Sequence, residues 1–428
     1  MRYAIVHPTF TVHGGTEVLL AHLTNELVRR GHEVTLFSSG TEDSPALAGL
    51  DPRVDVVDLR TGTLFFDRLS LRDWSRVGTR LAPALCGFDV LAFQGLPSPM
   101  WWQAALKADP GLRKSASLWF CHGLVGWLYD DVAGARTRKA LVELGRGADR
   151  RGVALALARI DLIRERGLKW TLQKLSRVAR VGLGDARPDF IVAEREAVRS
   201  FTSVFANSEF TARNVREIFG VEANVCYPGL ESDAIPAGFA PPGPDLLTVA
   251  RLQFSKNHRR ILRAVAEIKR RGPVPFRRYV IVGDGPESAD LRSFADELGI
   301  GELVEFAGTV TGTDLDGYYD RAGLFVLPAF DEGFGLVYLE AAARGRASIA
   351  SSHGGPAEIV ADGETGWVVD PFDPMEIADA ILKAFDNPAE LARRGAAARA
   401  RLLSEFTVAC FVDRFEEIAR AAIAKASA

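Results

Sequence analysis

"MRYAIVHPTFTVHGGTEVLLAHLTNELVRRGHEVTLFSS", Met1–Ser39, decides the fold. Its first apolar run is only about four residues long, which reads as a strand and not as the apolar core of a secretory leader. A turn containing Gly14 and Gly15 follows. Residues 16–32 then carry Val18, Leu19, Ala21, Leu23 and Leu27 at helical spacing, with Arg29 and Arg30 in the last turn and Gly31 placed to end it. "EVTLFSS" returns to strand. Strand, helix and strand make a βαβ unit, and a parallel sheet built from such units needs helices on both faces.

Working outward, "FDVLAFQG", "ASLWFCHG" and "SVFANSE" continue the first series of strands. A Pro/Gly-rich stretch, "AIPAGFAPPGPD" at Ala234–Asp245, has the composition of an interdomain linker. Beyond it "LLTVARL", "RRYVIVGDG", "LVEFAGTV", "GLFVLPAF", "ASIASSHGG" and "TGWVVDP" give six more strand candidates, most followed by a helical pattern. The expectation is two doubly wound α/β domains in tandem: residues 1–233, a linker at 234–245, residues 246–405, and an amphipathic terminal segment at 406–428.

The 428 residues suffice for two cores, and 47% hydrophobic with 25% charged residues is the balance of a globular protein. A net charge of −3 excludes a general attraction to nucleic acid. Cys86, Cys121, Cys226 and Cys410 are widely spaced and form no metal or disulfide pattern, which fits a reducing, cytoplasmic setting. No window of about 18 residues is free of charge, so no membrane span is expected. Arg136–Arg187 holds 14 Lys/Arg against five acids with apolar residues interleaved. It reads as a basic helical insertion, either a solvated face or a peripheral contact with the anionic inner face of a membrane.

The chemistry concentrates in loops after strands, where open parallel sheets bind ligands. "FDEGFGLVYLEA" follows the buried-type strand "GLFVLPAF". Gly333 and Gly335 admit close backbone approach, and the N–H groups of the next helix favour phosphate or hydroxyl oxygens. Glu332 and Glu340 lie eight helical residues apart, about 12 Å, so they suit opposite ends of one elongated ligand. Arg251, after the first strand of the second series, and Lys256, five residues on, suit a diphosphate. Thr313 to Asp316 reads as a capping box, which accounts for the Asp314/Asp316 pair without a metal. His7, His13, His258 and His353 show no metal-ligand spacing. "IVGDGPES" places Ser288 where a dinucleotide fingerprint has its third glycine, which argues against NAD.

Together these motifs resemble retaining nucleotide-sugar glycosyltransferases of the GT-B fold, family 4. They are "GGTE" at Gly14–Glu17, His122 in "FCHG", "ANSEFTARNVREIFG" with "CYPGL", Arg251, Lys256, "IVGDGPE", the stretch Glu332–Glu340 and "SSHGGPAEIVADGETGWVVDP". The resemblance spans nearly the whole chain. It implies two Rossmann-like domains facing across a cleft, with the terminal helix crossing back to the first. It also implies that Arg251 and Lys256 hold the donor diphosphate, Glu340 the ribose, and Val310 lies near the base. Glu332 with the amides of Phe334, Gly335 and Leu336 would engage the donor sugar and phosphate, His122 the reaction centre, and Gly14 and Gly15 would close over the diphosphate. Glu332 and His122 are thus the candidate catalytic residues. No cofactor or metal is implied beyond a UDP- or GDP-sugar as donor, and the acceptor would be a glycan, glycolipid or small-molecule hydroxyl. A GT-B phosphorylase and a non-catalytic sugar-nucleotide-binding protein are the alternatives.

Overall fold

The computed structural model describes residues 1–8, 15–38, 47, 49–59, 71–95, 98–122, 187–330 and 332–427. The basic stretch of residues 136–186, with the membrane contact expected of it, lies outside them, as do Gly14 and His13.

The first sheet is built from β1 (Arg2–Val6), β2 (Glu33–Ser38), β3 (Asp55–Asp58), β4 (Val90–Gln94), β5 (Ala116–Cys121), β6 (Ser203–Ala206) and β7 (Asn224–Val225). All are parallel, in the order β3-β2-β1-β4-β5-β6-β7. The helices of this half of the chain are α1 (Gly15–Arg29), α2 (Leu71–Ala84), α3 (Ser98–Ala108), α4 (Arg187–Arg199) and α5 (Glu209–Phe219). Of these, α4 is the described part of a separate compact unit, Leu124–Arg199. Because chain order reverses at β1, the crevice of this sheet opens beyond the carboxyl ends of β1 and β4.

The second sheet comprises β8 (Asp245–Val249), β9 (Tyr279–Val282), β10 (Val304–Gly308), β11 (Ala322–Leu327), β12 (Ala347–Ser351) and β13 (Gly366–Val369), again parallel, in the order β10-β9-β8-β11-β12-β13. Its helices are α6 (His258–Arg271), α7 (Ser288–Glu297), α8 (Gly312–Arg321), α9 (Leu336–Ala343), α10 (Pro356–Ile359), α11 (Pro374–Asp386) and α12 (Pro388–Glu405). The crevice here opens beyond β8 and β11.

Both sheets bury both faces. Ile261, Leu262 and Val265 of α6 and Ile377 and Ile381 of α11 cover one side of the second sheet, while Tyr338 and Leu339 of α9 and Leu402 of α12 cover the other. In the first sheet, Phe93 meets Trp102 and Phe201 on one side, with ring centroids 5.4 and 5.5 Å apart. The other side takes Leu20, Leu23 and Leu27 of α1 together with Phe411, Val412 and Phe415 of the last helix, α13 (Val408–Ala426). Each such side chain contributes about 1.5–3 kcal/mol by leaving water, which is what draws α13 back to the first sheet. The two crossings of the chain lie side by side: Leu230 N donates to Phe406 O at 2.8 Å, and Val408 N to Leu230 O at 3.0 Å.

The capping box expected at Thr313 is not formed. Helix α8 already begins at Gly312, with Thr311 at its N-cap and no side-chain cap bond, so Thr313 lies inside the first turn. Asp316 instead pairs with Arg344 at 2.6 Å.

Candidate active site

In the second domain the chain leaves β8 at Val249, and Arg251 follows with an exposed side chain. Its carbonyl accepts from His258 Nε2 at 3.1 Å. Lys256 ends a one-turn 3-10 helix, Phe254–Lys256. The next residue, Asn257, adopts a left-handed backbone (φ 62°) and donates both amide hydrogens, to Pro328 O and Pro371 O, each at 2.8 Å. With Phe330 N donating to Ser255 O at 2.7 Å, this ties the Lys256 turn to the chain leaving β11. Lys256 Nζ therefore meets the Glu332 carboxylate in an ion pair whose side chains are only 21% and 20% exposed. Each charge compensates the other, as partly buried charges must.

The Glu332 backbone is held from the turn between β12 and α10. Its carbonyl accepts from Gly355 N at 2.9 Å. A Cβ at Gly354 would come within 2.8 Å of that carbonyl, so the close approach excludes larger residues. Gly335 (φ 99°) is the N-cap of α9 without a side-chain cap bond; Tyr338 N donates to its carbonyl at 3.1 Å, while the N–H of Leu336 at the head of the helix has no intrahelical acceptor. Phe334 is buried, its ring tilted against those of Tyr227 and Phe406 with centroids 6.1 and 6.0 Å away. One turn and more along α9, Glu340 accepts from Tyr319 OH at 2.7 Å. Burial raises the Glu340 carboxyl above its ordinary range; the Tyr319 bond opposes this and Asp316 adds to it. Val310, half-buried after β10, packs at the edge of the same core.

From the first domain, His122 follows β5. Its Nε2 lies 2.8 Å from Gln94 Oε1 at the end of β4. Burial, with His7 beside it, pushes the imidazole down to about 3, so the ring is neutral and Nε2–H donates to the Gln94 carbonyl. Nδ1, also buried, has no partner among the described residues. Gly15 opens α1, and a Cβ placed on it would stand 3.9 Å from Leu336 Cδ1 of the second domain. His7 Nε2 and Glu17 Oε1 are 3.6 Å apart nearby.

The structure thus brings Lys256 to Glu332 and Gly15 to Leu336, and gives Glu340 a separate partner. Sequence reading missed Asn257, Tyr319 and Gln94. Only the "KNH" step from Lys256 hinted at one of them, since Asn tolerates the left-handed conformation a turn requires. Among the described residues no three His, Cys, Asp or Glu side chains gather as a metal site, and no helix is long and apolar enough to cross a membrane.

Two parallel Rossmann-like sheets, with polar groups at both strand-end crevices, define the class by architecture: the GT-B fold. The sequence model for "Glycosyltransferase Family 4" matches residues 13–233 and that for "Glycosyl transferases group 1" residues 234–401, so the chain belongs to glycosyltransferase family 4. It is 28% identical to D-inositol 3-phosphate glycosyltransferase 2 of Catenulispora acidiphila over 89% of this chain and 84% of that protein. It is 35% identical to a GDP-mannose-dependent alpha-(1-6)-phosphatidylinositol monomannoside mannosyltransferase of Mycolicibacterium smegmatis, over 36% of this chain and 42% of that one. Among solved structures, Anabaena HepE in complex with UDP shares the fold at a TM-score of 0.70 and 15% identity, covering 98% of this chain and 100% of HepE.

Proposed function

We propose that this glycosyltransferase moves a hexose-type sugar from a nucleoside-diphosphate carrier to a hydroxyl acceptor with retention of anomeric configuration, in the assembly of a polysaccharide, glycolipid or other glycoconjugate. The observation that carries the reading is the Lys256–Glu332 ion pair at the mouth of the second sheet's crevice, with Arg251 exposed close by in sequence. A diphosphate arriving there takes charge-assisted bonds from Arg251 and Lys256 and frees Glu332 for sugar hydroxyls. Related proteins support the carrier class: HepE is seen with UDP, and the mannosyltransferase relative is named for GDP-mannose.

In this mechanism the bond from the anomeric carbon to phosphate oxygen breaks, leaving positive charge on the sugar and negative charge on the nucleoside diphosphate. Arg251, Lys256 and the N-terminal amides of α9 stabilise the leaving charge from fixed positions. The acceptor hydroxyl attacks on the face the diphosphate leaves, and its proton passes to the departing phosphate. His122, neutral and with Nδ1 as a lone-pair acceptor, holds a sugar hydroxyl. Gly15 and the neighbouring Gly14 let α1 approach the diphosphate from the first domain. Glu340 accepts from the ribose hydroxyls, and Val310 borders the base.

Thermal unfolding of the full chain with UDP, GDP, ADP, dTDP and NAD in parallel tests this. One nucleoside diphosphate at about 100 times its Kd stabilises by about 2.7 kcal/mol and raises the midpoint by a few degrees. Arg251→Ala is expected to lose that shift. A shift that survives in Arg251→Ala, or a shift with NAD alone, overturns the reading.

A further inference from the structure

We propose that Ser208 and Glu358 are positioning residues for transfer: they form a bracket that fixes the spacing between the His122 side and the Glu332 side of the site. The inference rests on the proposed reading that His122 and Glu332 flank the donor sugar.

The bracket starts in the turn between β6 and α5. Asn207 is buried and its Nδ2 donates to the carbonyl of His122 at 2.6 Å. The adjacent Ser208, fully buried, donates its hydroxyl hydrogen across to the carbonyl of Gly333 at 2.6 Å, while its Oγ accepts from Thr211 N at 3.0 Å. Two consecutive residues of the first domain therefore grip the backbone next to each candidate catalytic side chain.

A second bridge runs beside the first. Glu358 of α10, a residue of the second domain, accepts from Glu209 N at 2.7 Å and from Phe210 N at 2.8 Å, the first two amides of α5. Tyr227 OH donates to the same carboxylate at 3.0 Å. A helix leaves its first N–H groups without internal acceptors. In α5 those groups are satisfied partly by Ser208 and partly by a carboxylate of the other domain, so separating the domains here strands them. Glu358 N donates to Gly355 O at 2.9 Å, and Gly355 N donates to Glu332 O at 2.9 Å. Both bridges thus end on the Glu332–Gly333 backbone, one at each carbonyl. Neither touches Arg251 or the Lys256 turn, which are anchored through Asn257 and His258. The arrangement assigns the bracket to alignment of the reacting groups and leaves nucleotide capture to other residues.

The test compares Ser208→Ala and Glu358→Gln with Asn387→Ala, which removes the side-chain cap of α12 (Asn387 Oδ1 accepts from Glu390 N at 3.1 Å) and leaves every bracket bond in place. Turnover of UDP-glucose and GDP-mannose, read as release of the nucleoside diphosphate, gives kcat. Titration with UDP and GDP gives Kd. Misalignment costs catalysis steeply, so kcat falls about tenfold or more in both bracket variants while Kd stays within about twofold; Asn387→Ala keeps both. Deuterium exchange of the amides of residues 332–336 needs no donor: it accelerates in the bracket variants and not in Asn387→Ala. Unchanged exchange, or kcat no lower than in Asn387→Ala, overturns the bracket. If Arg251→Ala also leaves nucleotide affinity untouched, the donor-site reading itself has failed. If Arg251→Ala abolishes binding while both bracket variants keep kcat, only the bracket has.

Discussion

The two crevices are lined by opposite kinds of chemistry. The second domain presents charges that are already paired or bonded, Lys256 with Glu332 and Glu340 with Tyr319, plus the exposed Arg251. The first presents a glycine at the head of α1 and an imidazole kept neutral by burial. A charged ligand is captured where charges can be exchanged for it, because a partly buried carboxylate or ammonium stays compensated by its partner until the ligand replaces that partner. A neutral ring costs little to enclose and supplies a directional lone pair. Under the proposed function, the difference divides the work: the second domain would do the binding and the first would complete the site around a bound ligand.

The largest test of that division is Glu332→Gln. Replacing the carboxylate with an amide takes the negative charge from Lys256's partner and leaves the sugar a weaker, uncharged acceptor, and loss of one such preorganised group costs about 10²- to 10³-fold in kcat. Affinity for UDP or GDP, measured by titration, should hold or tighten, since Lys256 no longer has to be released from Glu332. Turnover that survives the change removes Glu332 from the chemistry and dissolves the contrast between the two faces.

A smaller effect comes from the neutral imidazoles. Burial holds His122 at about 3, and His22 and His258 at about 4. The unfolded chain takes up protons on these groups near pH 6.5, whereas the folded chain does so only much lower. Stability is therefore full above pH 6.5 and declines as pH falls from there towards the folded values. Urea unfolding at pH 7 and pH 5 should show a loss that is about 1–2 kcal/mol smaller in His122→Asn than in the wild type. The same argument removes any His122 limb from the pH profile of transfer between pH 5 and 8. An identical pH slope in the variant means that His122 is not held neutral.

How much of this could be read from the chain follows from the range of the interactions. Alternating apolar runs and helical stripes are local, so the parallel α/β architecture and the second sheet's six strands were legible. β3 was not, because Val56 and Val57 are exposed on an edge strand flanked by Asp55 and Asp58, and β7 is two residues long. Arg251, Lys256 and Glu332 stood out as charges just beyond apolar runs. Their arrangement did not: Lys256 and Glu332 are 76 residues apart, Gln94 and His122 are 28 apart, and only the sheet order makes them neighbours. Thr313 misled because a capping box is a local pattern, and Gly312 had already started the helix upstream.

The finest test concerns the nucleoside end of the second domain. Tyr319→Phe keeps the ring in the core and deletes only the hydroxyl that donates to Glu340. Burial already raises the Glu340 carboxyl, and the lost bond is the one opposing influence, so the group moves further towards its protonated form. A protonated acid offers fewer acceptor positions to a pair of ribose hydroxyls. Affinity for the nucleoside diphosphate should weaken by about 1 kcal/mol, roughly fivefold, the value of one hydrogen bond, with kcat at saturation unchanged. Because protonation is the cause, the loss should be larger at pH 5.5 than at pH 8 in titrations of UDP or GDP. A loss of equal size at both values would trace the effect to packing around Tyr319, and Glu340 would then have no part in reading the ribose.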